Sequence, residues 1–236
     1  MDTQRVLRHE WHWPPLVLSD STVEALKWFG LVAMSIDHLN AFLWHYAWPP
    51  GYAIGRLAFP IFVVVLAYNL ARPAPDAPQR YRRILWRLTL AGLVAEPFHR
   101  MLTGTHELNV LFALALLTVV VWGLQGGPLQ RVRAVLLGLV CGVAVEYFWI
   151  APLLGVAVWC YVRHPGGGAV LLGVVALALL SVLNGNHWAW LVGPLLVVAA
   201  HQPVHCALPR WRNLFYIYYP AHLALLWALD GVLPIG

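Results

Sequence analysis

Charge is scarce in this chain. Asp, Glu, Lys and Arg make up only 11% of its 236 residues, against about 25% in soluble domains. With 61% of residues hydrophobic, a soluble fold of this size has too little polar surface to cover the rest. That excludes an ordinary soluble domain and leaves lipid as the solvent for the outer surface. Cysteine is scarce too. Cys141, Cys160 and Cys206 are the only three, and none belongs to a CxxC pair, so neither a disulfide framework nor a zinc site is expected. Residues 1 to 20 lack the pattern of a cleaved secretory signal: Arg5, Arg8 and Glu10 precede the long apolar runs, and no small-residue cleavage site follows. Trp11, Trp13 and Pro14-Pro15 suit a segment lying at the membrane surface instead. There is no serine elbow, no HExxH pair, no phosphate-binding loop and no motif for nucleic acid. The net charge of +5 is therefore read as a topology signal.

What is present is a series of apolar runs. A helix needs about 20 mostly apolar residues to cross the hydrocarbon core. The expected fold is an all-α integral membrane bundle of about nine helices, with a cytoplasmic or interfacial segment over 1–20 and one polytopic domain over 21–236. The first span is expected from Ser21 to about Trp44, with Ser21-Thr22-Val23-Glu24 as a capping box. Further spans are read at 52–71, 83–99, 107–124, 131–147, 148–162, 169–183, 187–201 and 212–232. Placing the N-terminus in the cytoplasm gathers Arg5, Arg8, Lys27, Arg72, Arg80, Arg82, Arg83, Arg87, Arg131, Arg133, Arg163, Arg210 and Arg212 on the inner side. Only Arg56 and Arg100 fall elsewhere, as the positive-inside rule requires.

Ionisable residues inside spans are costly and therefore informative. Asp37 and His38 lie about 22 Å along the first helix from its cytoplasmic end. Arg56 lies at a similar depth on the second, across a short connection, so an Asp37–Arg56 ion pair is expected. Glu96 and Arg100 have ion-pair spacing on one helix, and Pro97 between them is expected to open the helix. Asn109, Glu146 and Asn184 also fall near outer ends, where caps and interface residues are common. The last span carries Tyr216, Tyr218, Tyr219, Pro220 and His222. Imidazole is a natural general base near neutral pH.

These stretches resemble the TraX family of conjugative-transfer membrane proteins, which includes the TrbP proteins. The resemblance is carried by Lys27-Trp28-Phe29-Gly30, Ile36-Asp37-His38, Gly55-Arg56-Leu57-Ala58-Phe59-Pro60-Ile61-Phe62, Tyr81-Arg82-Arg83, Glu96-Pro97-Phe98, Leu108-Asn109-Val110-Leu111-Phe112 and Tyr218-Tyr219-Pro220-Ala221-His222. It is densest over 27–115 and returns near 213–226. It implies acetylation of the N-terminal amine of a pilin subunit, with acetyl-CoA as donor, at the bacterial inner membrane. It further implies His38 as base, Asp37 as its orienting partner, and Arg56 as the group that stabilises the acetyl carbonyl or binds pantetheine. Arg82, Arg83 and Arg87 would meet the donor phosphates. Asn109, Tyr219 and His222 would complete the donor site, and Glu96, Glu146 and Asn184 the acceptor side. Pilin, acetyl-CoA and membrane lipid are the expected partners, with no metal and no nucleic acid. A non-enzymatic pilin docking protein and a small proton-linked transporter are the rival readings.

Overall fold

The computed structural model describes residues 13–205, 209, 211 and 213–232. Residues 1–12 of the expected N-terminal segment, with Arg5, Arg8 and Trp11, lie outside the described residues, as do Cys206, Arg210 and Arg212. The described chain is all helical, with no β-strand beyond one isolated bridge between Leu108 and Val145. Its ten α-helices are α1 (Asp20–His38), α2 (Pro49–Gly55), α3 (Ala58–Ala71), α4 (Ala77–Thr103), α5 (Val110–Leu124), α6 (Pro128–Cys141), α7 (Ile150–Arg163), α8 (Gly167–Asn184), α9 (Val192–His201) and α10 (Leu214–Val232). Helices α2 and α3 run on as one rod, Pro49–Ala71, so the elements follow the nine expected segments. Two rods are long and apolar enough to cross a membrane: Pro49–Ala71 and Gly167–Asn184.

The start of α1 differs from expectation. Ser19 caps it, its Oγ accepting from the Thr22 N–H at 3.0 Å. Ser21 is already helical, and Glu24 takes Lys27 as its partner at 2.6 Å. Ser19 stands in extended backbone one residue before the helix, which is where a capping oxygen reaches the orphan N–H groups. At its other end α1 passes into a π-turn, Leu39–Leu43. The fully buried Asn40 holds that turn: its side-chain oxygen accepts from the Trp48 N–H at 3.0 Å.

Helix α4 does not open at Pro97. It continues to Thr103 and stops at Gly104, whose φ of +66° is left-handed. Glycine adopts that conformation at little cost and so ends helices well. The structure also runs α10 through Pro220 without interruption.

Apolar side chains of α3 and α5 are buried almost all round. Around them α1 packs on α2 and α3, α7 on α3, α5 and α8, and α10 on α4. The peripheral helices α6 and α8 turn large apolar side chains outward, Val140 at 70% and Val182 at 82% exposure. The fold therefore has an apolar core and an apolar rim, with polar groups gathered where α1, α2, α4 and α10 meet the turn after α6.

Candidate functional site

The site begins at the end of α1. Adjacent helical residues diverge by about 100°, and Asp37 and His38 use that divergence to face different neighbours. Asp37 forms an ion pair with Arg56 at the α2–α3 junction, as expected, with both side chains mostly buried. Gly55 makes the approach possible, because a Cβ at that position would collide with the Asp37 side chain. The Arg56 guanidinium also lies over the Tyr52 ring, 4.6 Å from its centroid. The partner of Asp37 is thus Arg56 and not the neighbouring imidazole.

His38 faces α10. Its ring stacks on His222, centroids 5.3 Å apart and planes 15° from parallel. His222 stacks in turn on Tyr218, at 5.3 Å and 12°. The column is fixed at its foot: Ser35 donates to the Leu31 carbonyl at 2.8 Å, so the Tyr218 hydroxyl donates to Ser35 Oγ at 2.7 Å. Tyr219 closes the other side of His38, 6.2 Å between centroids. Buried polar atoms with no partner concentrate here: His38 Nδ1, His222 Nε2, Asp37 Oδ1 and Arg56 Nε. Native interiors rarely leave such atoms unmet away from functional sites.

A cavity of about 340 Å³ lies beside this group, lined among others by Glu24, Lys27, Leu31, Met34, Tyr218 and Tyr219; His38 and His222 themselves do not line it. Met34 is one turn before His38 on the same helix. Of the residues expected to hold a donor, Tyr219 lines this cavity and His222 stacks behind it. Arg82, Arg83 and Arg87 do not line it. Arg82 is exposed, Arg83 pairs with Asp76, and Arg87 sits over Tyr216. By helical rise they lie about 18–25 Å along α4 from His99. A second, more open groove of about 660 Å³ runs between α4 and α10, past Arg87, Phe98 and Pro220.

The remaining expected residues separate into two kinds. Glu96 pairs with Arg100 at 2.6 Å, and its other oxygen accepts from the Asn109 N–H at 3.1 Å and Nδ2 at 2.8 Å. Asn109 caps α5 through the Leu111 N–H and donates to the Gly92 carbonyl. Together they bolt α4 to α5. Asn184 ends α8, and its carbonyl accepts from the Tyr52 hydroxyl at 3.1 Å. Glu146 behaves differently: it faces the imidazole of His99 on α4, Oε2 to Nε2 3.6 Å.

Sequence reading passed over His99, Tyr147 and Lys27 as site residues. His99 sat at the expected end of a span, beside an arginine, where a polar residue attracts no notice. The signal that could have found it is Gly104: a helix stopping there carries His99 a full turn inside. Tyr147 needed the tertiary structure, since its ring reaches the site only by stacking on Phe59 at 3.8 Å between centroids.

A protein-family model described as "TraX protein" matches residues 22–230. The chain is 32% identical over 228 residues to a Protein TraX of Escherichia coli, covering 91% of this chain and 89% of that one. It is 30% identical over 227 residues to a Protein TraX of Escherichia coli strain K12, with the same shares covered. A probable fimbrial assembly protein FimC, serogroup H1, of Dichelobacter nodosus is 24% identical over 240 residues, covering 88% of this chain and 95% of the relative. No solved structure matches the chain.

Proposed function

The chain belongs to the TraX family, and from that premise we propose that it is an acetyltransferase of the bacterial inner membrane, acting on the N-terminal amine of a pilin subunit with acetyl-CoA as donor. The observation that carries the reading is the His38–His222 stack, with a ring nitrogen unmet on each, packed against Tyr218 and Tyr219, which line the cavity that also holds Lys27. The name of the Dichelobacter relative, a fimbrial assembly protein, supports a pilus subunit as acceptor.

Several features support a membrane setting. The apolar rim of α6 and α8 suits lipid and not water. Two rods have the length and composition to cross. The basic loops fall on one side when the N-terminus is cytoplasmic. The nine rods would then cross as a bundle, with Asp37, His38, Arg56 and Glu96 in its outer half.

The cavity, lined mostly by aliphatic and aromatic side chains, would take the pantetheine arm, and Lys27 to Met34 spans about 10 Å of α1. Lys27, paired with Glu24 on the same wall, would exchange that carboxylate for a donor phosphate on binding. The nitrogen of the neutral acceptor amine attacks the thioester carbon. A C–N bond forms, the C–S bond breaks, and His38 takes a proton from the nitrogen and returns it to the leaving sulfur. Arg56, held by Asp37, offers its unmet Nε–H to the carbonyl oxygen as negative charge develops there. His222 and Tyr218 keep the His38 ring in one orientation.

Binding of acetyl-CoA to the purified chain in detergent tests the reading against both rivals. An acetyltransferase binds acetyl-CoA at about micromolar concentration, and about tenfold more weakly when Leu66→Trp narrows the cavity. No binding at any concentration would leave a docking protein or a transporter as the better account.

A further inference from the structure

One carboxylate of the cluster has no arginine or lysine partner among the described residues. Asp37 is paired with Arg56 and Glu96 with Arg100. Glu146 meets only the imidazole of His99, at 3.6 Å. A third of the Glu146 side chain is exposed, against 6% for His99. One edge of the carboxylate is therefore open while the other is backed by a buried ring. His99 Nδ1 is itself buried with no partner. The acyl-transfer step above uses neither residue.

The backbone holds Glu146 in place from both sides. Its N–H donates to the Leu108 carbonyl at 2.7 Å, and the Leu108 N–H donates to the Ala144 carbonyl at 2.8 Å. Tyr147 follows with a φ of +62°, a left-handed conformation that a residue with a side chain adopts at a cost. That turn puts the Tyr147 ring on Phe59, three residues beyond Arg56. The turn that carries Glu146 is thereby packed against α3 one helical turn from Arg56, the partner of Asp37.

A partly exposed carboxylate with no arginine or lysine beside it among the described residues suits a cationic ligand group. An N-terminal amine has a pKa of about 7.7–8.0 and reaches a protein at neutral pH mostly as ammonium. We propose that Glu146 receives the ammonium group of the acceptor, the free N-terminus of an apolar peptide, and that His99 is the positioning residue that aims the carboxylate. The acceptor's role rests on the acetyl-transfer reading; the binding of an ammonium group does not. His99 turns Nε2 toward Glu146 Oε2, and its Nδ1 is buried without a partner. The bound ammonium loses one proton to solvent at the open edge of the carboxylate, and the neutral amine then attacks while His38 takes its second proton.

The test is peptide binding to the full chain in detergent, with one apolar octapeptide amide used in two forms, free at its N-terminus and N-acetylated. The wild type is expected to bind the free form about tenfold more tightly or better, the worth of a charge-assisted hydrogen bond. Glu146→Gln removes the discrimination. His99→Ala weakens it, and His99→Gln, which keeps a donor near the Nε2 position, restores most of it. Thermal unfolding of each variant shows whether it is folded, and Glu146→Asp serves where Glu146→Gln is not. Equal binding of the two forms by the wild type, or discrimination that survives Glu146→Gln, overturns the proposal. Discrimination in a wild type that transfers no acetyl group sustains it and sinks the acetyl-transfer reading instead.

Discussion

The imidazole of His38 lies parallel to that of His222, 5.3 Å between centroids, and joins the first helix of the chain to the last. Neither ring is there merely to fill space, since each keeps a buried nitrogen unmet. If His38 is the base, His38→Ala lowers the acetyl-transfer rate by about 10²–10⁴-fold, the usual worth of general-base catalysis. His222→Phe keeps the stack but not the nitrogen, so it folds normally and loses less activity than His38→Ala. Single-turnover rates of the two variants check this.

Asp37 and Arg56 form a mostly buried ion pair. Removing one partner of a buried pair strands the other charge and costs about 3–5 kcal/mol. Arg56→Ala and Asp37→Ala are each expected to lower the unfolding midpoint sharply in detergent. Asp37→Leu combined with Arg56→Met should recover much of the loss, because no charge is then stranded. Gly55→Ala reaches the same end by sterics, as its added methyl meets the Asp37 side chain. A double variant no more stable than the singles would contradict the argument.

Asn109 is expected to be a stability residue. Asn109→Ala removes the α5 cap, worth about 1–2 kcal/mol, and takes the Nδ2 donor from Glu96 while leaving the backbone N–H in place. Chemical unfolding should show that loss or a somewhat larger one. The KM for acetyl-CoA should stay within a factor of about two, since the side chain does not line the cavity.

The cavity route separates the candidate cations. Leu66→Trp narrows the passage, and Lys27→Ala removes the cation on its wall. Both are expected to raise KM for acetyl-CoA about tenfold with a smaller effect on kcat, the pattern of lost donor binding. Arg82→Ala, on the exposed face of α4, should do less than Lys27→Ala. A larger effect at Arg82 would move the phosphate site to α4, where the sequence alone placed it.

Helix order and the local ion pairs were legible before the structure. Apolar runs between proline and glycine turns locate helices because both properties belong to the local chain. Asp37–Arg56 and Glu96–Arg100 could be anticipated because a short loop or a single turn brings their partners together. The His38–His222 stack could not, since it depends on how α10 packs against α1 from the far end of the chain. The same holds for Glu146, whose meeting with His99 needs the bridge between Leu108 and Val145. The Ser19 cap and the unbroken helix at Pro97 were misjudged for another reason. Several residues near Ser21 can cap, and a proline's lost hydrogen bond is tolerated where the surrounding packing holds the helix.

The central claim, acetyl transfer at the His38 site, is tested most directly by intact-mass measurement of a pilin peptide with a free N-terminus, incubated with acetyl-CoA and the purified chain. The account predicts the mass gain of one acetyl group at the N-terminal amine with the wild type, and a gain at least about a hundredfold slower with His38→Ala. An unmodified peptide after incubation with folded wild type, or an equal gain with folded His38→Ala, would contradict it.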